Sequence, residues 1–568
     1  MRIRVATGPL SVRAIAGTNV VLLAMDLPKA MANQLLGFAF ERVDETEGVT
    51  TPLLGSKTFA ETEPAGHLPG SPLSTFDHPI QAFLWGDYTA RPDHDYTYRV
   101  VALGGTPAAL VPLAETVVPV ATETSSLGSH GVWFNRGVAA SQAYVRRFAN
   151  RKPDDVPDRE AYIWLSRGLE EAFLGFVGRA GPGDSLRAAV YEFQYPAALR
   201  AFADARDRGA DVRIVVDLKP NSDDAPRAKN LAAIAAAGIG DLVEERTSNK
   251  SYIAHNKFVV LSRAGQPVSV WTGSTNLTAG GVFGHSNVGH VVRQPEVAAR
   301  FLDYWTQLAG DPERPELSTW TELTALPTTP KPPTGTTVVF SPRKSLAALQ
   351  WYADLMDRAR RSVFFTAAFG ISAPLEAVLA QDREYLRYGL LEREDESIEL
   401  LKRDRDNVFA VGARIEDDLL DGWAKEALTD LNRHVKYIHT KFMLIDPLSS
   451  DPIVITGSAN FSDASTRQND ENMLVIRGST RVADLYLGEF MRLFNHFEFR
   501  GRVAADRARG RGPELAGGVA SASADGGAVM PTGEATTAAF RHLVPTPTWA
   551  WEHYVPGWRR TKERELFR

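Results

Sequence analysis

His439-Thr440-Lys441-Phe442-Met443-Leu444-Ile445-Asp446, then Gly457-Ser458-Ala459-Asn460, then Glu471-Asn472-Met473-Leu474-Val475-Ile476: the reading of this chain turns on these three segments. A histidine and a lysine two apart open an apolar, strand-like run, and residues two apart on a strand project to the same face. The pattern occurs a second time, upstream. His255-Asn256-Lys257 opens Phe258-Val259-Val260-Leu261, Gly273-Ser274-Thr275-Asn276 follows, and Asn287 precedes Val288-Gly289-His290-Val291-Val292. Eighteen residues separate His from Gly in both copies (255 to 273, 439 to 457), and fourteen separate that Gly from the final polar position (287, 471). A lone HxK means little, but four matched anchor points at equal spacing predict an internal duplication.

The residue types suggest the chemistry. Histidine serves as nucleophile or general acid near neutral pH. A lysine ammonium, a serine hydroxyl and an asparagine amide are donors suited to an anion with several oxygens. One set is half of a phosphate site. Two sets facing each other supply two histidines for one phosphodiester, one to attack phosphorus and one to protonate the leaving oxygen.

On these residues the chain resembles the phospholipase D superfamily, the HxKxxxxD phosphodiesterases, across both halves of roughly residues 125–500. The resemblance implies two α/β halves with mixed sheets flanked by helices, related by a pseudo-twofold axis, and chemistry through a phosphohistidine without metal or other cofactor. It implies His255 and His439 as nucleophile and acid, with Lys257, Lys441, Ser274, Ser458, Asn276 and Asn460 on the phosphate oxygens. In that family a carboxylate of one half orients the histidine of the other, so Glu471 is expected behind His255, with His255 as nucleophile and His439 as acid. The first copy departs from the pattern twice. Ser262 stands where the second copy keeps Asp446, a supporting position, and Asn287 stands where the second copy has Glu471. A degenerate pair that binds phosphate without cutting is the competing expectation. His285 and His290, close by in sequence, are read as local hydrogen-bonding residues rather than metal ligands.

At 568 residues, 44% hydrophobic and 23% charged, the chain has room for three or four soluble domains. A net charge of −6 supplies no global attraction to nucleic acid or anionic membrane. There is no cysteine, which excludes thiol ligands and disulfides and leaves the compartment open. With no signal-peptide core or membrane-length apolar run, the expectation is a cytoplasmic monomer.

Residues 1–122 read as short strands punctuated by Gly, Pro and Asp, an antiparallel sandwich. The segment from Tyr88 to Val100 resembles the end of a fibronectin type III module, with an aromatic of Tyr96-Thr97-Tyr98 placed for a corner hydrogen bond. Such a module is expected to hold a partner protein or the substrate. Residues 123–325 form the first half. Within it, 158–180 reads as one amphipathic helix carrying Tyr162, Leu165, Leu169, Phe173, Phe176 and Val177, ended by Pro182 and Gly183. Strands at 185–193 and 212–218 alternate with helices at 195–210 and 231–239, which implies largely parallel pairing with helices on both faces. Trp133-Phe134-Asn135-Arg136 reads as an ordered loop packed on the first helix.

Residues 326–335 are a stiff proline-rich linker. The second half, 336–500, repeats the order with a helix at 345–361 and strands at 362–369 and 407–414, plus an inserted charged segment, 383–407, expected as a solvated helix. Residues 501–530 read as a flexible linker, and within 501–568 the tail interleaves Trp549, Trp551, Tyr554 and Trp558 with Arg559, Arg560, Lys562 and Arg564. That tail is expected to dock on the parent domain; stacking on bases or resting at a bilayer surface is the alternative. The substrate expectation is a phospholipid, hydrolysed or transferred, with DNA or RNA as the alternative.

Overall fold

The computed structural model describes residues 1–67, 71–137, 141–149, 151–220, 226–249, 252–327, 329–393, 396–412, 438–510 and 542–568. Two seven-stranded sheets carry the architecture. The first runs, edge to edge, His130–Phe134, Val288–Val292, Gln266–Gly273, Lys257–Arg263, Asp184–Val190, Asp211–Asp217, Val243–Arg246. The second repeats the order with Gly335–Ser341, Glu471–Arg477, Ile453–Gly457, Phe442–Ile445, Ser362–Ala367, Leu386–Leu391, Asn407–Val411. The sheets are mixed. Parallel pairing is confined to the last three strands of each, and the strands that carry the histidine motifs pair antiparallel with their neighbours. The expectation of largely parallel sheets is corrected accordingly.

Alternation along each strand explains why both faces are buried. Phe258 and Val260 enter the central core while Val259 and Leu261 face the helices Leu169–Val177 and Pro196–Asp207. The central core lies between the sheets and joins Phe258 and Phe301 of one half to Phe364, Phe442 and Leu474 of the other. It is completed by Tyr486, Phe490 and Phe494 of the helix Thr480–Gly510.

Four expectations from sequence are corrected. The helix over 158–180 is two, Glu160–Ser166 and Leu169–Val177, broken where Arg167 and Gly168 take positive φ (51° and 88°). Tyr162 and Leu165 consequently pack with Phe283, whereas Leu169, Phe173, Phe176 and Val177 pack on the first sheet. Next, the segment 383–407 is no insertion. Leu386–Leu391 is a strand whose six residues are all buried, the counterpart of Asp211–Asp217, and a short helix, Glu396–Leu401, follows it. Its Arg387 is buried against Asp404 and the carbonyls of Val378 and Gln381, so a charge that reads as solvated is internal. Third, 501–510 continues the helix Thr480–Gly510 rather than opening a linker, while 511–530 lies outside the described residues. Fourth, Trp133 and Phe134 belong to the edge strand His130–Phe134, and it is Asn135 that matters: its buried side chain donates to the carbonyls of Val282 and His285, and accepts from the Asn287 amide.

The N-terminal region is all-β, with two four-stranded antiparallel sheets. Val12, Leu23 and Met25 of one sheet meet Phe38, Phe40 and Tyr98 of the other in a shared core. The Tyr96 hydroxyl accepts from the Arg91 amide at 2.9 Å, a corner bond of the kind expected there. The tail docks. Trp549 Nε1 donates to Leu35 O and the Tyr554 hydroxyl to Leu27 O, while Lys562 pairs with Asp406 of the second half.

Candidate active site

The duplicated motifs converge. His255 follows irregular backbone ahead of the strand Lys257–Arg263, His439 lies just ahead of Phe442–Ile445, and their ring centroids are 6.4 Å apart, edge to face. Both residues are 5% exposed, so each polar contact acts in a poorly solvated setting.

Each histidine is held by the opposite half. His255 Nδ1 lies 2.9 and 3.0 Å from the two oxygens of Glu471. An ionised carboxylate only accepts, so Nδ1 carries the proton and Nε2 of the neutral ring is left with its lone pair. His439 Nδ1 lies 2.9 Å from Asn287 Oδ1. Asn287 Nδ2 is committed to the carbonyl of Gly281 at 2.7 Å, which fixes the amide so that its oxygen faces the ring. The two serines stand behind these partners: Ser458 Oγ donates to Glu471 Oε2 at 2.7 Å and Ser274 Oγ to Asn287 Oδ1 at 2.8 Å. The structure thus sets both hydroxyls on the groups that orient the histidines rather than on the space between the rings.

Lys257 and Lys441 point along the same face as their histidines, each donating to the carbonyl two residues back at 2.6 Å. The Asn276 amide donates to Glu192. Asn276 Oδ1 and Asn460 Oδ1 are buried with no hydrogen-bond partner. Asp446 lies at the far end of its strand, where it accepts from the amides of Arg360, Arg361 and Ser362 and caps that turn. Ser262, its counterpart, is buried within the longer first-half strand. His285 lies edge to face on His439, centroids 4.6 Å apart. His290 is remote from the pair, in a buried chain with His130 and Tyr486. Among the described residues no group of three His, Asp or Glu side chains is placed to hold a metal ion.

Burial governs the titration. It lowers His255 to about 4, with Lys257 and Lys441 adding to the effect and Glu471 opposing it. His439 is held well below the usual imidazole range by burial, then by Lys441 and His285. Burial also brings Lys257 down to about 8, and burial with Lys257 nearby takes Lys441 well below its usual value. For Glu471 burial works against ionisation, but His255 and Lys257 outweigh it and keep the carboxyl below its usual range. Two histidines and two lysines buried together, with Glu471 pairing His255 among them, make a site able to take up an anion.

Residues that spacing did not reveal also meet here. The Tyr191 ring lies 5.2 Å from His255 and beneath Lys257 Nζ. Asp217 accepts from the amide of Ala254 at 2.7 Å and Glu392 from that of Ile438 at 2.8 Å, each the residue just before one of the two facing histidines. Asn472 Nδ2 donates across the halves to Asn256 Oδ1 at 2.8 Å. A strand-end acidic residue such as Asp217 gives no periodic signal; only the sheet register reveals it.

Two equivalent α/β halves thus meet at one pair of histidines, each held from the opposite half. Residues 179–309 and 397–494 match the family described as "Cardiolipin synthase, PLD-like domain", and the chain therefore carries a phospholipase D-like domain in two segments. Among solved structures, the chain is similar to Nuc of Salmonella typhimurium, a phospholipase D family member (29% identity, 25% of this chain and 86% of that one, TM-score 0.21). It is also similar to phosphatidylserine synthase of Haemophilus influenzae (10%, 58% and 85%, 0.42) and to the yeast tyrosyl-DNA phosphodiesterase (12%, 54% and 86%, 0.32). No curated protein matches the chain.

Proposed function

We propose that this protein breaks and re-forms phosphodiester bonds by double displacement on His255. His255 Nε2 attacks phosphorus, an N–P bond forms, the P–O bond to the leaving group breaks, and His439 Nε2 gives its proton to the departing oxygen. Water or an alcohol then attacks phosphorus, His439 takes that proton, and the N–P bond breaks. The observation that carries this reading is the crossed pairing of His255 with Glu471 and His439 with Asn287 around rings 6.4 Å apart. The carboxylate stabilises the positive imidazole of the adduct. The neutral amide leaves His439 free to surrender its proton, which the negative charge of bound phosphate helps it to hold beforehand. Lys257, Lys441, Asn276 and Asn460 receive the phosphate oxygens, a donor set of the kind that accelerates such steps by about 10²–10³ per donor.

The substrate is a phospholipid headgroup ester, hydrolysed or exchanged. The match to the cardiolipin synthase PLD-like domain and the net charge of −6 support this over a nucleic acid. The N-terminal sandwich, as a fibronectin type III-like module, holds a partner or the substrate aggregate.

The test is turnover of a chromogenic phosphodiester in EDTA by wild type, His255→Asn and His439→Asn, followed by headgroup release from phospholipid vesicles beside single- and double-stranded nucleic acid. Retained turnover in His255→Asn, or a trapped adduct on His439, sinks the mechanism. Cleavage of nucleic acid alone sinks the substrate.

A further inference from the structure

We infer that Asp217 and Glu392 are a matched pair of positioning residues, each anchoring the main chain just ahead of one reactive histidine. The inference rests on the two-histidine reading above.

Sheet register establishes that the two are equivalent. In the first half Val190 pairs antiparallel with Lys257 and parallel with Val216, so the next residue along the second parallel strand is Asp217. In the second half Phe365 faces Met443, which sets Ala367 opposite Lys441, and Ala367 pairs parallel with Leu391; the next residue is Glu392. Both carboxylates are 3% exposed. Each spends an oxygen on the same main-chain donor, the amide immediately before the histidine: Ala254 to Asp217 Oδ2 at 2.7 Å and Ile438 to Glu392 Oε2 at 2.8 Å. Sequence separations differ, 38 residues from 217 to 255 and 47 from 392 to 439, so the contact is preserved in space and not in spacing.

The physical need is plain. Each histidine precedes its strand, where the main chain has fewer ladder bonds than a strand interior: ahead of His439 there is a single bridge, Ile438 with Ser286. The Nδ1 bond to Glu471 or Asn287 sets the ring's rotation, while the anchored amide sets where the ring begins. A carboxylate buried at this depth is tolerated only where it is hydrogen-bonded, and a charged acceptor makes the stronger bond. A displacement of about 1 Å at a reacting group can cost on the order of 10²-fold in rate.

The experiment uses the full chain with two diesters of one acid, one releasing p-nitrophenol and one releasing an alkyl alcohol. A nitrophenolate leaves without a proton; an alkoxide does not. Asp217→Ala, behind the nucleophile, is expected to lower kcat about 10²-fold on both substrates. Glu392→Ala, behind the acid, is expected to lower kcat/KM about 10²-fold on the alkyl ester and less than about fivefold on the nitrophenyl ester, because kcat/KM is set by attack and leaving-group departure and not by the later hydrolysis in which His439 acts as base. On the alkyl ester KM should move less than about threefold. Asp217→Asn and Glu392→Gln keep an acceptor oxygen and should recover most of the loss.

Equal losses on both substrates in both variants, tracking a lowered unfolding midpoint and unrescued by the amides, would mark the carboxylates as scaffold only. Unchanged kcat in both alanine variants would overturn the proposal outright. The mirror-image pattern would keep the positioning pair and exchange the roles of the two histidines. A wild type inert on both esters, or a His255→Asn variant as active as wild type, would instead remove the two-histidine reading itself, and this inference with it.

Discussion

Glu471 reaches across from one half to grip His255 of the other, its Oε1 2.9 Å from Nδ1, between residues 216 apart in sequence. Asn287 grips His439 in the reciprocal direction at the same distance. Carboxylate and amide are close in shape, but only the carboxylate brings a negative charge to a positive ring. Glu471→Gln should preserve the fold and lower kcat by about 10²–10⁴, the scale on which a buried acid behind a catalytic imidazole acts. Steady-state kinetics beside circular dichroism checks this; a loss under about fivefold would show that the charge is not used.

The pH dependence follows from the two rings. His255 must be unprotonated to attack, and burial lowers it to about 4, so kcat/KM should rise with pH through about 4 and level off. His439 must be protonated to serve as acid, and burial with Lys441 and His285 holds its pKa well below the usual range, so kcat/KM falls as pH climbs above that value. The optimum is expected on the acid side of neutrality. Because His285 disfavours the His439 cation, His285→Asn should carry the alkaline limb upward. A profile centred above pH 8 would contradict the assignment.

Gly281 has a steric reason to be glycine. A Cβ there would meet the carbonyl oxygen of Asn276 at 2.2 Å, and the Gly281 carbonyl is what fixes Asn287. Gly281→Ala is expected to cost about 1–3 kcal/mol of stability from overpacking. Its effect on kcat should be larger than that of other changes equally destabilising, measured by urea unfolding and turnover on one preparation. An unaltered kcat would uncouple this turn from His439.

Much of this is legible in the sequence itself. Matched spacing alone paired His255 with His439 and Asn287 with Glu471, because a strand's two-residue period and equal loop lengths transmit directly into space. Other features were masked by local chemistry. Arg387, in the midst of a charged run, hid a fully buried strand, since a guanidinium with internal carbonyl and carboxylate partners reads in sequence as solvent-facing. The break at Arg167–Gly168 was hidden by apolar residues that keep helical spacing on both sides of it. Asp217 and Glu392 were invisible because what they share is a register, and register is a property of the sheet.

The aromatic tail separates packing from recognition. Phe567 is fully buried and packs edge to face on Phe364, so Phe567→Ala is expected to cost about 3–5 kcal/mol. Trp551 is 54% exposed, and Trp551→Ala should stay within about 0.5 kcal/mol. Chemical denaturation decides both. A loss of vesicle binding in Trp551→Ala at unchanged stability would assign the exposed ring to a surface contact.

Replacing a carboxylate by an amide at one of two matched positions gives a nearly symmetric scaffold a head and a tail. On the proposed mechanism a diester would meet two ends that are alike in backbone but differ in which ring can bear charge, so its two ester oxygens would not be interchangeable. The direction in which such a reaction runs would then depend on Asn287 as much as on Glu471.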